Sequence, residues 1–121
     1  MQGKQRSSEA KEEELLVVSN STVIIALARI CRLDLLKKLF RKILVPEAVW
    51  REITVEGKSG SEKIVRAEFI YVEKASNERL VAFLGEFVDR GEAEAIVLAL
   101  ELNADLLLVD EHGVRKAQLK S

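Results

Sequence analysis

The stretch DLLLVDEHG, Asp105 to Gly113, is an apolar run of buried-strand character that stops on two adjacent acids, Asp110 and Glu111. Carboxylates at the carboxyl end of a buried strand lie where open α/β sheets present their ligand groups. In a parallel sheet all such ends point the same way. Asn20, which follows the apolar run Leu15 to Val18, can therefore meet Asp110 at a switch point. Two further acids stand where a helix turns from core to cleft. Glu52 falls six residues inside the helix opened at Pro46, at the margin of a Val49, Trp50 and Ile53 face. Glu92 opens the stretch GEAEAIVLALEL, four residues before Ile96, on the flank of its apolar stripe.

Each candidate also has an ordinary structural explanation. Glu92 can be the fourth member of an Asp89-x-x-Glu92 capping box, or an acid favoured by the positive end of a helix dipole. Glu52 can be a solvated helical residue, and Asp110 can cap a helix that follows it. His112, beside the acids, invites a general-base role, yet a lone histidine on a loop is usually a surface residue.

The elements that must position these residues alternate between two periods. Leu15 to Val18 reads as a strand ending at Ser19-Asn20-Ser21-Thr22, the side-chain types that cap helix N-termini, so a helix is expected over 23–30. Leu33, Leu36, Leu39 and Phe40 have helical spacing, and Ile43-Leu44-Val45 makes a brief strand. Pro46 is expected at the first position of the next helix, where its fixed φ is pre-organised. Gly57-Lys58-Ser59-Gly60 breaks the chain before a short helix over 62–67. FIYVE is another strand candidate, Asn77 caps a helix running through Val88, and Gly91 to Leu102 is a long apolar helix. Asp105 to Val109 closes the series. Short apolar strands alternating with helices predict an α/β three-layer sandwich with a short, mostly parallel sheet flanked by helices. Residues 1–14 show no apolar periodicity and read as a disordered or tag-like segment, leaving one domain over 15–121.

Composition narrows the class. A chain of 121 residues has room for one core, and 48% apolar with 32% charged residues describes a globular protein. Nineteen basic against 20 acidic residues create no global basic field, but Arg29 to Lys42 holds six basic residues against Asp34 alone. That cluster reads either as solvated helix faces or as a phosphate-facing rim. The single cysteine, Cys31, cannot form an intrachain disulfide, and no Cys/His spacing resembles a zinc site. No stretch approaches the roughly 20 apolar residues of a membrane span, so a cytoplasmic protein is expected. Abundant Glu, Lys and Arg beside Ile, Val and Leu lean toward a thermophile.

The segments VVSNSTVIIALARICRLDLLKKLF, ILVPEAVWREI, GEAEAIVLALEL and ADLLLVDEHGVRKA, in that order and spacing, resemble the PIN-domain family. They resemble in particular its prokaryotic branch related to VapC-type toxin ribonucleases. The resemblance implies a metal-dependent endoribonuclease in which acids gather one or two Mg²⁺ or Mn²⁺ ions, which activate a water and neutralise charge growing on the phosphoryl oxygens. Carried over residue by residue, it implies Asp110, Glu92 and Glu52 as catalytic acids and Asn20, Glu52, Glu92 and Asp110 around the metal. Thr22 matches a small hydroxyl that could orient a ligand or a phosphate oxygen, and Arg115 a basic residue that could touch RNA. The implied partner is RNA; a missing edge element would expose unpaired strand groups or apolar surface, so a homodimer or a bound antitoxin-like protein is expected as well, and no membrane.

Two departures from the family pattern matter. Asn20 stands where most of the family carries an aspartate, and an amide oxygen can coordinate a cation but brings no charge. Only eleven residues follow Asp110, where members typically add a further strand and helix, so a fold lacking these is expected. A catalytically weakened PIN-like module that binds RNA or protein is therefore the alternative to an enzyme. A receiver-like signalling domain fares worse, because its first strand should end in acids and this one ends in Ser19-Asn20-Ser21.

Overall fold

The computed structural model describes residues 15–55 and 60–110. The segment 1–14, Glu111, His112, Arg115 and the expected missing strand and helix lie outside the described residues.

Four three-residue strands form one parallel sheet: β1 (Val17–Ser19), β2 (Ile43–Val45), β3 (Ile70–Val72) and β4 (Leu106–Leu108). Their order is β3-β2-β1-β4. Val18 pairs with Leu44, Ser19 with Leu108, and Leu44 with Tyr71. Among the described residues six helices flank the sheet. They are α1 (Ser21–Arg29), α2 (Asp34–Phe40), α3 (Glu47–Ile53), α4 (Ser61–Val65), α5 (Glu78–Leu84) and α6 (Arg90–Leu102).

Strand side chains alternate between faces, and that alternation makes the layers. Val17, Ile43, Val45 and Ile70 pack on one face with Ile24 and Ala28 of α1, Leu36 of α2, Val49 and Ile53 of α3 and Ile64 of α4. Val18 and Leu44 face the other way, onto Val81 of α5 and Ala93, Ala95, Val97 and Leu98 of α6. Each fully buried Ile, Leu or Val contributes about 1.5–3 kcal/mol relative to exposure. The result is the expected three-layer α/β sandwich.

Element ends differ from expectation for local reasons. α1 begins at Ser21 because Asn20 itself is the N-cap, with extended backbone and its side chain accepting the Val23 N–H at 3.3 Å. Pro46 is the N-cap of α3 rather than its first residue, since its ψ of 169° is extended. α5 stops at Leu84 instead of reaching Val88. Gly85, a poor helix former, follows it, and the N–H groups of Phe87 and Val88 turn back onto the Leu84 carbonyl.

Two contacts fix the frame around the site. The Asp105 carboxylate accepts the Leu16 N–H at 2.8 Å while the Asp105 N–H donates to the Leu16 carbonyl at 2.8 Å, setting the β1–β4 register. Gly60, at φ 84°, seats α4 on α1: a Cβ there would lie 2.7 Å from that of Ala28, so both conformation and space demand glycine.

Candidate active site

Asn20 leaves the carboxyl end of β1 and is almost fully buried. Its Oδ1 caps α1, so the amide must turn its NH₂ the other way. Nδ2 donates to Glu92 Oε1 at 3.1 Å and to Asp110 Oδ1 at 3.0 Å. Both amide hydrogens are thus committed, one to each acid. Asn20 presents donors to the carboxylates and its oxygen to the helix end.

Glu92 reaches this point from the first turn of α6. Asp89 is the helix N-cap, accepting the Glu92 N–H at 2.8 Å, so half of the capping box forms. The Glu92 carboxylate, however, goes to Asn20. Burial raises the Glu92 pKa above the usual carboxylate value, and the charges of Asp110, Asp89 and Glu52 push the same way, against the lowering effect of the Asn20 hydrogen bond. A nearby cation would offset the burial and like charges that disfavour the ionised form of Glu92.

Glu52, near the end of α3, completes the acidic wall. Its Oε1 is shielded from solvent and lies against Gly91, the residue before Glu92. A Cβ at position 91 would stand 2.5 Å from that oxygen, so the carboxylate rests in a cradle that exists only because residue 91 is glycine.

A fifth acid holds the two helices together. Glu94 Oε1 accepts the Ala48 N–H at 3.0 Å, satisfying a free donor at the start of α3, and Oε2 accepts from Arg90 Nε at 2.7 Å. α3 thus meets α6 at two points in reverse order, Ala48 at Glu94 and Glu52 at Gly91. The side chain of Glu94 is a positioning group.

Of the residues singled out in the sequence, Asn20, Glu92 and Asp110 are joined by direct hydrogen bonds, and Glu52 is close enough to act on the charge of Glu92. Thr22 is exposed in the first turn of α1, two residues beyond Asn20. Gly91 and Glu94 were not foreseen. Glu94 carries a sequence signal, since it lies in a helix among Ala and Val and an acid enclosed there must be paired, whereas Gly91 carries none.

A family model described as a PIN domain matches residues 16–120, nearly the whole chain. The chain belongs to the PIN-domain family. The PIN domain is a nuclease-type fold, and the parallel sandwich with acids at its carboxyl edge agrees with it. No curated protein and no solved structure matches the chain. PIN domains generally use divalent metals and commonly bind RNA. Among the described residues no group of three His, Cys, Asp or Glu side chains is set to hold a metal ion. Glu92 and Asp110 nevertheless converge on one point, now taken by the Asn20 nitrogen. Mg²⁺ characteristically takes one or two protein carboxylates and keeps water or phosphate oxygens elsewhere, and Glu92 and Asp110 are donors of that chemistry. No helix among the described residues is long and apolar enough to cross a membrane.

Proposed function

We propose that the chain is a divalent-metal-dependent endoribonuclease that hydrolyses RNA phosphodiesters. The observation that carries this reading is the convergence of Glu92 and Asp110, from different elements, on the single nitrogen of Asn20. Glu92 and Asp110 would hold Mg²⁺ or Mn²⁺, with Glu52 acting directly or through a bound water. The ion, when bound, supplies Lewis acidity toward the phosphodiester and its attacking water. Glu52, held by the Gly91 cradle, stands beside the pair to orient that water or accept its proton. Asn20 keeps the two carboxylates together and, on turning its amide, offers an oxygen. Thr22 at the rim, and Arg115 in the tail, would touch phosphate.

A second reading follows from the same nitrogen. An NH₂ group at the point where the family usually places aspartate satisfies both acids without a cation, which favours a catalytically muted module that binds RNA or protein. Resemblance to the VapC-type branch supports a toxin acting with an antitoxin-like partner; the edge element expected to be missing supports a homodimer, and the lone cysteine with the lack of a long apolar stretch supports a cytoplasmic protein.

Cleavage of a labelled single-stranded RNA with Mn²⁺ separates the two readings. The enzyme reading expects cleavage that Asp110→Ala abolishes and Asn20→Asp increases. Activity in Asn20→Asp alone identifies a muted centre. Silence in all three, with folding verified by circular dichroism, overturns the nuclease and leaves the binding module.

A further inference from the structure

The other end of the sheet carries the opposite charge. α2 ends at Phe40, with Arg41 as its C-cap just before β2, and α4 leads through Arg66 to β3, so the two helices flank the amino ends of these strands. Between them lies an open cleft of about 760 Å³, lined by Lys37 and Arg41 on one side and Lys63 and Arg66 on the other. A second hollow over α2 shares Lys37 and Arg41 and adds Lys38. All five cationic side chains are exposed. Two acids, Asp34 and Glu68, also line the cleft. Asp34 is engaged by Arg32 at 3.4 Å and by Lys38 at 3.6 Å, so Lys38 offsets that acid and Lys37, Arg41, Lys63 and Arg66 remain as the lining cations. Tyr71, about half exposed, lines the wall, and Lys42 Nζ sits over its ring, 5.1 Å from the centroid.

We propose that this amino-edge cleft is a binding groove for the phosphate backbone of single-stranded RNA, separate from the acids at the carboxyl edge. Non-specific grooves for single strands combine cations that follow the backbone with aromatic faces on which bases stack. The cleft supplies the cations, with Tyr71 in its wall and Lys42 over that ring. The separation has a physical purpose: Glu52, Glu92, Asp89 and Asp110 repel phosphate when no cation is bound, so affinity must be supplied elsewhere on the molecule. Lys37 and Arg66 come from opposite walls, so a strand lying in the cleft is held from both sides. The inference shares its ligand with the nuclease reading and none of its acids.

Binding of a fluorescein-labelled single-stranded RNA, followed by anisotropy in chelator, tests the groove without cleavage. The double variant Lys37→Ala/Arg66→Ala is compared with Lys74→Ala/Arg79→Ala, which removes two exposed cations that do not line the cleft. Each phosphate contact on a single strand contributes about 0.7 to the slope of log K against log salt, so the cleft variant should lose about 1.4 of slope. Its Kd should rise at least about tenfold at low salt, while the control stays near the parent. Equal losses in both variants would reduce the effect to net charge and overturn the proposal. So would unchanged binding in the cleft variant, or tighter binding of a polyglutamate peptide than of RNA, which would assign the cleft to an acidic protein. Absence of nuclease activity in the parent leaves this measurement unaffected.

Discussion

Adding one methyl group at residue 91 should separate catalysis from stability. In Gly91→Ala the new Cβ would sit 2.5 Å from Glu52 Oε1, whereas ordinary contact begins at 3.4 Å, so the carboxylate must retreat by about 0.9 Å. The obstructing atom is the tip of a flexible side chain, and Val49 Cγ2 at 3.4 Å is already at a tolerable distance. Strain should therefore lie at the low end of the ~1–3 kcal/mol of overpacking. Alanine returns up to about 1 kcal/mol of helix propensity. The two nearly cancel, and the melting temperature should stay within about 5 °C of the parent. A displacement near 1 Å at a catalytic group can cost on the order of a hundredfold in rate. The assay is single-turnover cleavage of a labelled RNA with Mn²⁺, beside thermal melting of the same preparations. Adding Glu52→Asp, which draws the carboxylate back by about one bond length of ~1.5 Å, should recover part of the lost rate. Cleavage by Gly91→Ala within about threefold of the parent would refute the cradle. A loss of rate accompanied by a large fall in melting temperature would equally refute it, since folding rather than position would then be at fault.

Glu92 should give the metal-free protein an inverted pH dependence. Its folded pKa lies above the unfolded value, so between the two the native state binds more protons, and stability falls as pH rises through that window. Glu92→Gln should remove that slope and melt higher than the parent at neutral pH in chelator, as read by calorimetry across the window. Glu94→Ala strips the Ala48 N–H of its acceptor and Arg90 of its nearer one, and should cost about 1–3 kcal/mol in urea unfolding, mostly through the buried amide. Asn20→Ala removes the α1 cap as well as the bridge and should lose about 1 kcal/mol from the cap alone. Asn20→Asp keeps the cap acceptor but sets a third charge against Glu92 and Asp110. It should melt lower than the parent in chelator and show the larger rise on adding Mn²⁺.

The layers were legible because three-residue apolar strands and capped helices carry their signals locally. Ser19-Asn20 announced a helix start, and Asp110 announced a strand end. The orientation of Asn20 was not legible, because it depends on two competing uses of one amide, and the winner was the Val23 N–H three residues away. Glu92 and Glu94 look equivalent in the sequence. Two residues of helix rotate by roughly 200°, so one faces β1 and the other the start of α3. Local spacing identifies such acids, and only the packing of α3 on α6 assigns their tasks. Gly91 escaped notice because its role is the absence of an atom.

The pairing of β1 with β4 has a consequence for the order of assembly. Asn20 and Asp110 are 90 residues apart, and contacts that span so much chain are costly to close and form late in folding. An incompletely folded or incompletely synthesised chain can present Glu52 and Glu92 on their helices without possessing the cluster. The cluster comes into being with the docking of β4, so the candidate site is among the last things the folding chain acquires.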